Sequence, residues 1–142
     1  MKNKILLLGL FCCGLISAKA QVLLDKGTGK NSFPIVSSST NAVVCFDEKD
    51  ATVVRKSASL FVDDVRRVTG QELKMDESKP GKVSARYAII AGTIGESGWI
   101  DALASRNKID TAAIAGSWER YMIEVVNNPV PGIKKAIVVA GS

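Results

Sequence analysis

Apolar residues recur at helical spacing in one segment near the middle of the chain. Steps of four and three residues alternate there, which places the apolar side chains on one stripe of an α-helix. Asp47 and Asp50 precede the segment, where acidic residues suit the positive end of a helix, and Gly70 follows it, where glycine often ends one. The pattern predicts an amphipathic helix whose charged residues face water. The apolar positions are Val54, Ala58, Phe61, Val65 and Val68.

The other regular segments are short apolar runs of the kind that form β-strands. The first two runs are separated by a stretch rich in serine and threonine, which predicts a hairpin. Two prolines and a glycine lie between the last two runs, so these are predicted to pair antiparallel. Strands are expected at 35–36, 42–46, 72–75, 86–91, 120–126 and 136–140.

A second, short helix is predicted between the strands at 86–91 and 120–126. Ser97 can cap its first turn, and Trp99 and Leu103 lie one turn apart on one face. Together these elements predict an α/β fold built on a mixed β-sheet with two helices.

The first twenty residues have the pattern of a secretory signal peptide. A basic start precedes an uncharged stretch over 5–16, and Ala18 and Ala20 are small residues at the positions that determine cleavage. As a helix this stretch would span only about 18 Å, short of the roughly 30 Å of a bilayer core. We expect export to the periplasm or medium, a mature chain beginning near Gln21, an irregular leader over 21–33, and no membrane span.

Cysteine and charge limit the possible partners and redox chemistry. Cys12 and Cys13 lie in the signal, where lipid attachment is the alternative to soluble export, although neither follows a small residue. Cys45 remains alone in an apolar run and is interpreted as a buried strand residue. Three lysines leave with the signal, so the net charge falls from +5 to +2. The longest runs of basic residues are the pairs at 66–67 and 134–135. The mature chain is therefore not expected to bind nucleic acid.

Few types of catalysis are compatible with the sequence. The chain has no histidine, which excludes Ser-His-Asp and Cys-His systems and removes the commonest metal ligand. The glycines between Gly92 and Gly98 lack the spacing of a dinucleotide-binding loop, and Trp99 stands where a P-loop has lysine, so they are interpreted as turn glycines. Asp63 and Asp64 diverge by about 100° on a helix and cannot converge on one atom. We expect no catalytic residue, cofactor or metal ligand.

Aromatic residues are the usual sign of a sugar-binding surface, because sugar rings stack on their faces. Trp118 and Tyr121 are the clustered candidates, but packing in a core or an interface is the default interpretation, since each precedes or begins a strand. The loop positions that could touch a substrate are Trp118, Gly141 and Ser142.

Several separated blocks of sequence agree in order and spacing with a known family. They resemble the N-terminal domain of glycoside hydrolase family 115, the bacterial xylan α-glucuronidases, and the likeness covers about 34–142. The blocks are 87–95, 99–103, 116–119, 128–132 and 136–142.

The resemblance implies a two-layer domain with its helices packed on one face of the sheet, similar to the leading domain of hexosaminidases and of other α-glucuronidases. Family members cleave glucuronic acid or its 4-O-methyl ether from plant xylan. Their catalytic acids lie in a following (β/α)₈ barrel, so no catalytic residue carries over to this chain. The implied partner is that barrel in the same polypeptide, and residues 34–142 are expected to be an accessory domain that is incomplete at its C-terminal end.

Two other classes of function remain open. A free-standing carbohydrate-binding module would expose Trp118 and Tyr121 on one face. A protein-docking domain would expose a contiguous apolar patch of more than a few hundred Å².

Overall fold

A computed structural model of the chain describes residues 32–142. The predicted signal peptide at 1–20 and almost all of the predicted leader at 21–33 therefore lie outside the described residues. No helix within 32–142 is long and apolar enough to cross a bilayer. The elements are β1 (Val43–Cys45), α1 (Thr52–Thr69), β2 (Met75–Asp76), β3 (Ala85–Thr93), α2 (Gly98–Ser105), β4 (Tyr121–Asn127) and β5 (Ile133–Gly141).

The five strands form one mixed sheet in the order β2-β1-β3-β5-β4. Strand β1 pairs parallel with β2 and β3, and β3 pairs parallel with β5. Strand β4 pairs antiparallel with β5, with Ile123 opposite Val139. The predicted mixed sheet with two helices is confirmed, and so is the antiparallel pairing of the last two strands.

The predicted hairpin at 35–46 is wrong. Residues 35–36 form no strand, and one backbone hydrogen bond joins them to the next run, from the Ala42 N–H to the Ile35 carbonyl at 2.9 Å. The intervening turn is closed instead by Ser37, whose Oγ accepts from the Thr40 N–H at 3.1 Å. Strand β1 is a central parallel strand buried on both sides, which is why its sequence is a continuous apolar run rather than an alternating one.

The two helices pack on opposite faces of the sheet, not on one face as the resemblance implies. Ile89 belongs to the core under α1, whereas its neighbour Ile90 belongs to the core under α2. Successive side chains of a strand point to opposite faces, so the two cores are separated by the sheet. From β1 the chain runs through α1 to β2 on one side, and from β3 it runs through α2 towards β5 on the other. Right-handed crossover connections that lead in opposite directions along a sheet place their helices on opposite faces of it.

Helix α1 packs four of the five predicted apolar positions against the core, and Val68 is the exception. Ala58 and Val62 are buried, whereas Val68 is 85% exposed. The alternating four- and three-residue steps average 3.5, so a stripe with that spacing drifts by about 20° per heptad on a helix of 3.6 residues per turn. Val68 has thereby drifted off the buried side. Gly70 ends the helix as predicted, with φ 70° and its N–H donating to the Arg66 carbonyl at 2.8 Å.

Trp99 on α2 is the largest fully buried side chain of the described residues. Its indole Nε1–H donates to the Ser78 carbonyl at 2.8 Å. Ser78 lies in the segment that connects β2 to β3, and Val83 from the same segment packs into the core under α2. The indole therefore holds the irregular segment between β2 and β3 against the face of the sheet that α2 covers.

Replacing Trp99 with phenylalanine removes this hydrogen bond and part of the buried volume. We expect Trp99→Phe to lower the free energy of unfolding by about 1–3 kcal/mol. Trp118→Phe is the matched control, because Trp118 is exposed, and should change it by less than about 0.5 kcal/mol. Denaturant titrations of the three proteins measure both effects. Equal losses in the two variants would contradict the anchoring role of Trp99.

Candidate functional site at the carboxyl ends of the parallel strands

Strand β1 ends at Cys45, in register with Ile90, and the neighbouring parallel strand β3 continues for three more residues to Thr93. The chain leaves β1 towards α1 on one face and leaves β3 towards α2 on the other. In open α/β sheets this divergence at the carboxyl ends of parallel strands opens the crevice where ligands bind. The two loops that meet here, 46–51 and 94–97, therefore form a candidate ligand-binding site.

Two carboxylates from the first loop bind the backbone amides that flank the second loop, on Thr93 and Gly98. Asp47 Oδ2 accepts from the Gly98 N–H at 2.9 Å, and Asp50 Oδ2 accepts from the Thr93 N–H at 2.9 Å. Neither carboxylate caps α1, whose N-cap residue is Ala51 and has no side-chain capping bond. Asp47 and Asp50 lie just before α1 as predicted, and Asp50 Oδ1 accepts from the Ala51 N–H at 2.7 Å, but their Oδ2 atoms bind Gly98 and Thr93 across the crevice.

The segment 92–98, here called the glycine loop, is stabilised by carboxylates of the same chain. In addition to the Thr93 and Gly98 amides, the Gly95 N–H donates to Asp101 Oδ1 at 3.0 Å, and Gly95 has a φ of 78° that suits glycine. Backbone N–H groups of this kind would have to point at a bound phosphate in a nucleotide site. Three of them are already occupied, which agrees with the interpretation of these residues as turn glycines.

Gly92 and Ser97 pack closely at the base of this loop. A Cβ atom on Gly92 would collide with the Ser97 side chain and lie 2.9 Å from Asp50 Oδ2. Ser97 occupies the N-cap position of α2 as predicted, but its side chain makes no capping bond. Its Oγ is fully buried and has no hydrogen-bond partner. The space between Gly92, Asp50 and Ser97 is therefore filled by protein atoms.

Three further acids that the sequence singles out lie at the protein surface. Glu96, in the loop between β3 and α2, is exposed. On α1, Asp63 and Asp64 form separate exposed ion pairs with Arg66 and Arg67, as their predicted divergence requires. Residues 32–142 contain no group of three His, Cys, Asp or Glu side chains that could hold a metal ion.

Cys45 and Asp76 have strongly shifted pKa values that do not suit catalysis. Cys45 is fully buried as predicted, and burial, with a smaller contribution from the Asp76 charge, raises the pKa of its thiol to about 12. The thiol therefore stays protonated at neutral pH and is a poor nucleophile. Hydrogen bonds from Lys74 Nζ at 2.7 Å and the Ser78 N–H at 2.9 Å lower the pKa of Asp76 to about 2. Asp76 is thus a satisfied anion that anchors the end of β2.

The predicted substrate-contacting residues lie at this same end of the sheet. Gly141 ends β5 in register with Thr93, and its carbonyl accepts from the Ile94 N–H at 2.9 Å. Ser142 bonds the start of β4, with its N–H donating to the Arg120 carbonyl at 3.0 Å. Trp118 lies two residues before Arg120 in the same segment. The structure therefore brings the segment before β4 next to Ser142, but it holds Gly141 and Ser142 by backbone bonds.

Trp118 and Tyr121 do not pack in the core, so that half of the default interpretation is wrong, whereas packing in an interface stays a prediction. Trp118 is 86% exposed and Tyr121 is 70% exposed. Strand β4 lies at the edge of the sheet, and Met122 and Val126 are its residues that pack towards α2. Tyr121 alternates with them and points to the other face, away from that core. An edge position depends on the order of all the strands, so the exposure of these two residues could not be predicted from the local sequence.

Two surface features were not found from the sequence. One is an apolar surface on β4, and the other is a cleft at the opposite end of the sheet that is lined by basic residues. The apolar residues of β4 were visible in the sequence, but which of them lack cover depends on where α1 packs. The basic residues come from the segment after α2 and from β5, which are far apart in the chain.

No protein-family model matches the chain, and no curated protein matches it at a significant level.

Substituting Gly92 tests the closure of the crevice. We expect Gly92→Ala to lower the free energy of unfolding by about 1–3 kcal/mol, because the new methyl group must displace Ser97 or Asp50. Gly141→Ala is the matched control at the end of the neighbouring strand, where an added Cβ meets no atom within 4 Å. Thermal unfolding of both variants provides the comparison. A Gly92→Ala protein as stable as the control would mean that the crevice has room for a ligand.

Proposed function

We propose that residues 34–142 form the non-catalytic N-terminal domain of an exported enzyme of the xylan α-glucuronidase type, and that this domain packs against a (β/α)₈ barrel that carries the catalytic acids. The blocks of resemblance to glycoside hydrolase family 115 support the family assignment. The proposed export to the periplasm or medium rests on the signal-peptide pattern of residues 1–20.

The observation that carries the proposal is an uncovered apolar surface on the edge strand. Tyr121, Ile123 and Val125 alternate along β4 on the face opposite α2, and they are 70%, 59% and 48% exposed. We call these three side chains the β4 face. They lie on the same side of the sheet as α1, but the core under α1 is built on β1, β2 and β3. A row of large apolar side chains on a sheet is typical of a surface that another polypeptide covers.

The crevice at the carboxyl ends of β1 and β3 supports the absence of catalysis in this domain. A general acid or base must have a carboxyl group free to reach the substrate. Asp47 and Asp50 instead accept backbone hydrogen bonds from the neighbouring loop. In the proposed enzyme the acid and the second carboxylate of the glycosidase mechanism belong to the barrel.

A carbohydrate-binding module is the second candidate. It is favoured by the exposure of Trp118 and Tyr121, three residues apart at the start of the edge strand. Indole and phenol faces of this kind stack on sugar rings. In that case the domain would hold xylan by itself, and Trp118 would dominate the affinity.

Docking can be measured with a family 115 barrel that lacks its own N-terminal domain and is shown to be folded by circular dichroism. We expect the purified chain to bind this barrel, and we expect Ile123→Lys to weaken binding at least about tenfold by placing a charge in the contact. Leu60→Lys is the matched control, because Leu60 is 65% exposed on the outer side of α1. It should change the affinity less than about twofold.

The same preparation should release no uronic acid from glucuronoxylan. Measurable turnover by the chain alone would contradict the non-catalytic assignment. Equal effects of the Ile123 and Leu60 substitutions would contradict docking through the β4 face. Binding to insoluble xylan that Trp118→Ala abolishes, without any binding to the barrel, would favour the carbohydrate-binding module.

A further inference from the structure

A second surface lies at the amino ends of β3 and β5, opposite the glycine loop. Here the turn between β4 and β5, the residues after α2 and the start of β3 surround a cleft of about 620 Å³. That volume lies within the range of roughly 300–1,000 Å³ that is usual for small-molecule sites. The exposed β4 face and the carboxyl-end crevice contribute no residue to it.

The charged residues that line the cleft are all basic. Arg106 ends α2, Lys108 follows it, and Lys134 lies near the start of β5. No aspartate or glutamate lines the cleft, and none of the three cations forms an ion pair within residues 32–142. Basic and acidic side chains are nearly equal in number over these residues. The cleft is therefore a local concentration of positive charge rather than part of a generally basic surface.

The backbone that carries these cations is fixed. The Asn128 N–H donates to the Lys134 carbonyl at 2.8 Å, and the Lys108 N–H donates to the Leu103 carbonyl at 2.9 Å. Gly132 adopts a φ of 93°, and its carbonyl accepts from the Ala85 N–H at 2.9 Å. A Cβ on Gly132 would collide with the Val83 carbonyl, so the turn lies directly against the start of β3. A site that is rigid before binding loses less entropy when a ligand arrives.

The floor of the cleft is apolar but not aromatic. Pro129, Val130 and Ile133 are buried there, and Asn128 and Ser84 add polar side chains at its margin. Nucleic-acid sites of this size combine basic residues with aromatic rings on which bases stack, and this cleft has no such ring. Cations above an aliphatic floor suit a small ligand that has a carboxylate, hydroxyl groups and C–H surface.

We propose that this cleft binds the carboxylate of an acidic oligosaccharide of the uronic-acid class. Arg106, Lys108 and Lys134 supply charge-assisted hydrogen bonds to the carboxylate, and the polar margin contacts the hydroxyl groups. The choice of a uronic acid rests on the proposed function, whereas the preference for an anion rests on the cleft alone. In the full enzyme such a site would hold the decorated xylan chain apart from the catalytic barrel.

Calorimetric titration of the purified chain with xylotriose that carries one 4-O-methylglucuronic acid tests this proposal. Unbranched xylotriose is the neutral comparison. We expect the acidic sugar to bind at least about tenfold more tightly than the neutral one and to weaken as salt is added. Lys108→Gln should reduce the affinity for the acidic sugar about two- to fivefold, the usual effect of one exposed ion pair. The triple variant Arg106→Gln/Lys108→Gln/Lys134→Gln should reduce it more than tenfold.

Lys56→Gln is the matched control, because it removes an exposed lysine of α1 outside the cleft and should leave the affinity unchanged. Equal affinity for the two sugars, no binding of either, or an unchanged triple variant would overturn the proposal. Tighter binding of a single-stranded oligonucleotide through the same three cations would overturn it in favour of nucleic acid. Because the barrel-docking test depends on Ile123 and not on these cations, either proposal can fail without the other.

Discussion

The fold depends on two hydrogen bonds that join the loop after β1 to Thr93 and Gly98, the residues on either side of the loop after β3. These loops leave the sheet towards opposite faces, and such a divergence would otherwise open a crevice. Asp47 and Asp50 close it by accepting the Gly98 and Thr93 amides, each at 2.9 Å. Bonds from backbone amides to charged carboxylates are among the stronger hydrogen bonds in proteins. They fix α1 and α2 relative to the sheet strands that precede them, and they use the groups with which this fold commonly binds ligands.

Because this crevice is closed, the proposed functions depend on two other surfaces. The β4 face is apolar because α1 covers only the half of the sheet built on β1, β2 and β3. The cleft at the amino ends is basic because α2 ends and β5 begins at the same place. Both surfaces follow from topology: one lies where a helix does not reach, and the other lies where two chain segments remote in sequence converge. An accessory domain that docks through one surface and holds an acidic sugar at the other is consistent with both.

Local chemistry explains what could be predicted from the sequence. Gly70 ends α1, Trp99 is buried on α2, and the proline-containing turn pairs β4 with β5, because each of these outcomes depends on neighbouring residues. The errors involve distant residues. Local sequence pairs the run at 42–46 with its neighbour in a hairpin, but its partners β2 and β3 lie roughly 30 and 45 residues away in sequence. The bonds from Asp47 and Asp50 to Gly98 and Thr93 could not be predicted for the same reason, because only the sheet order brings the carboxyl ends of β1 and β3 together.

Amide hydrogen exchange at Thr93 and Gly98 tests the closed crevice most directly. In the native chain both amides should exchange slowly, because each is bound to a carboxylate in a part-buried site. Asp50→Ala should accelerate exchange at Thr93 far more than at Gly98, and Asp47→Ala should do the reverse. Exchange of both amides in the native chain at the rate of an unstructured peptide would contradict the account, because the crevice would then be open and its carboxylates free to act on a ligand.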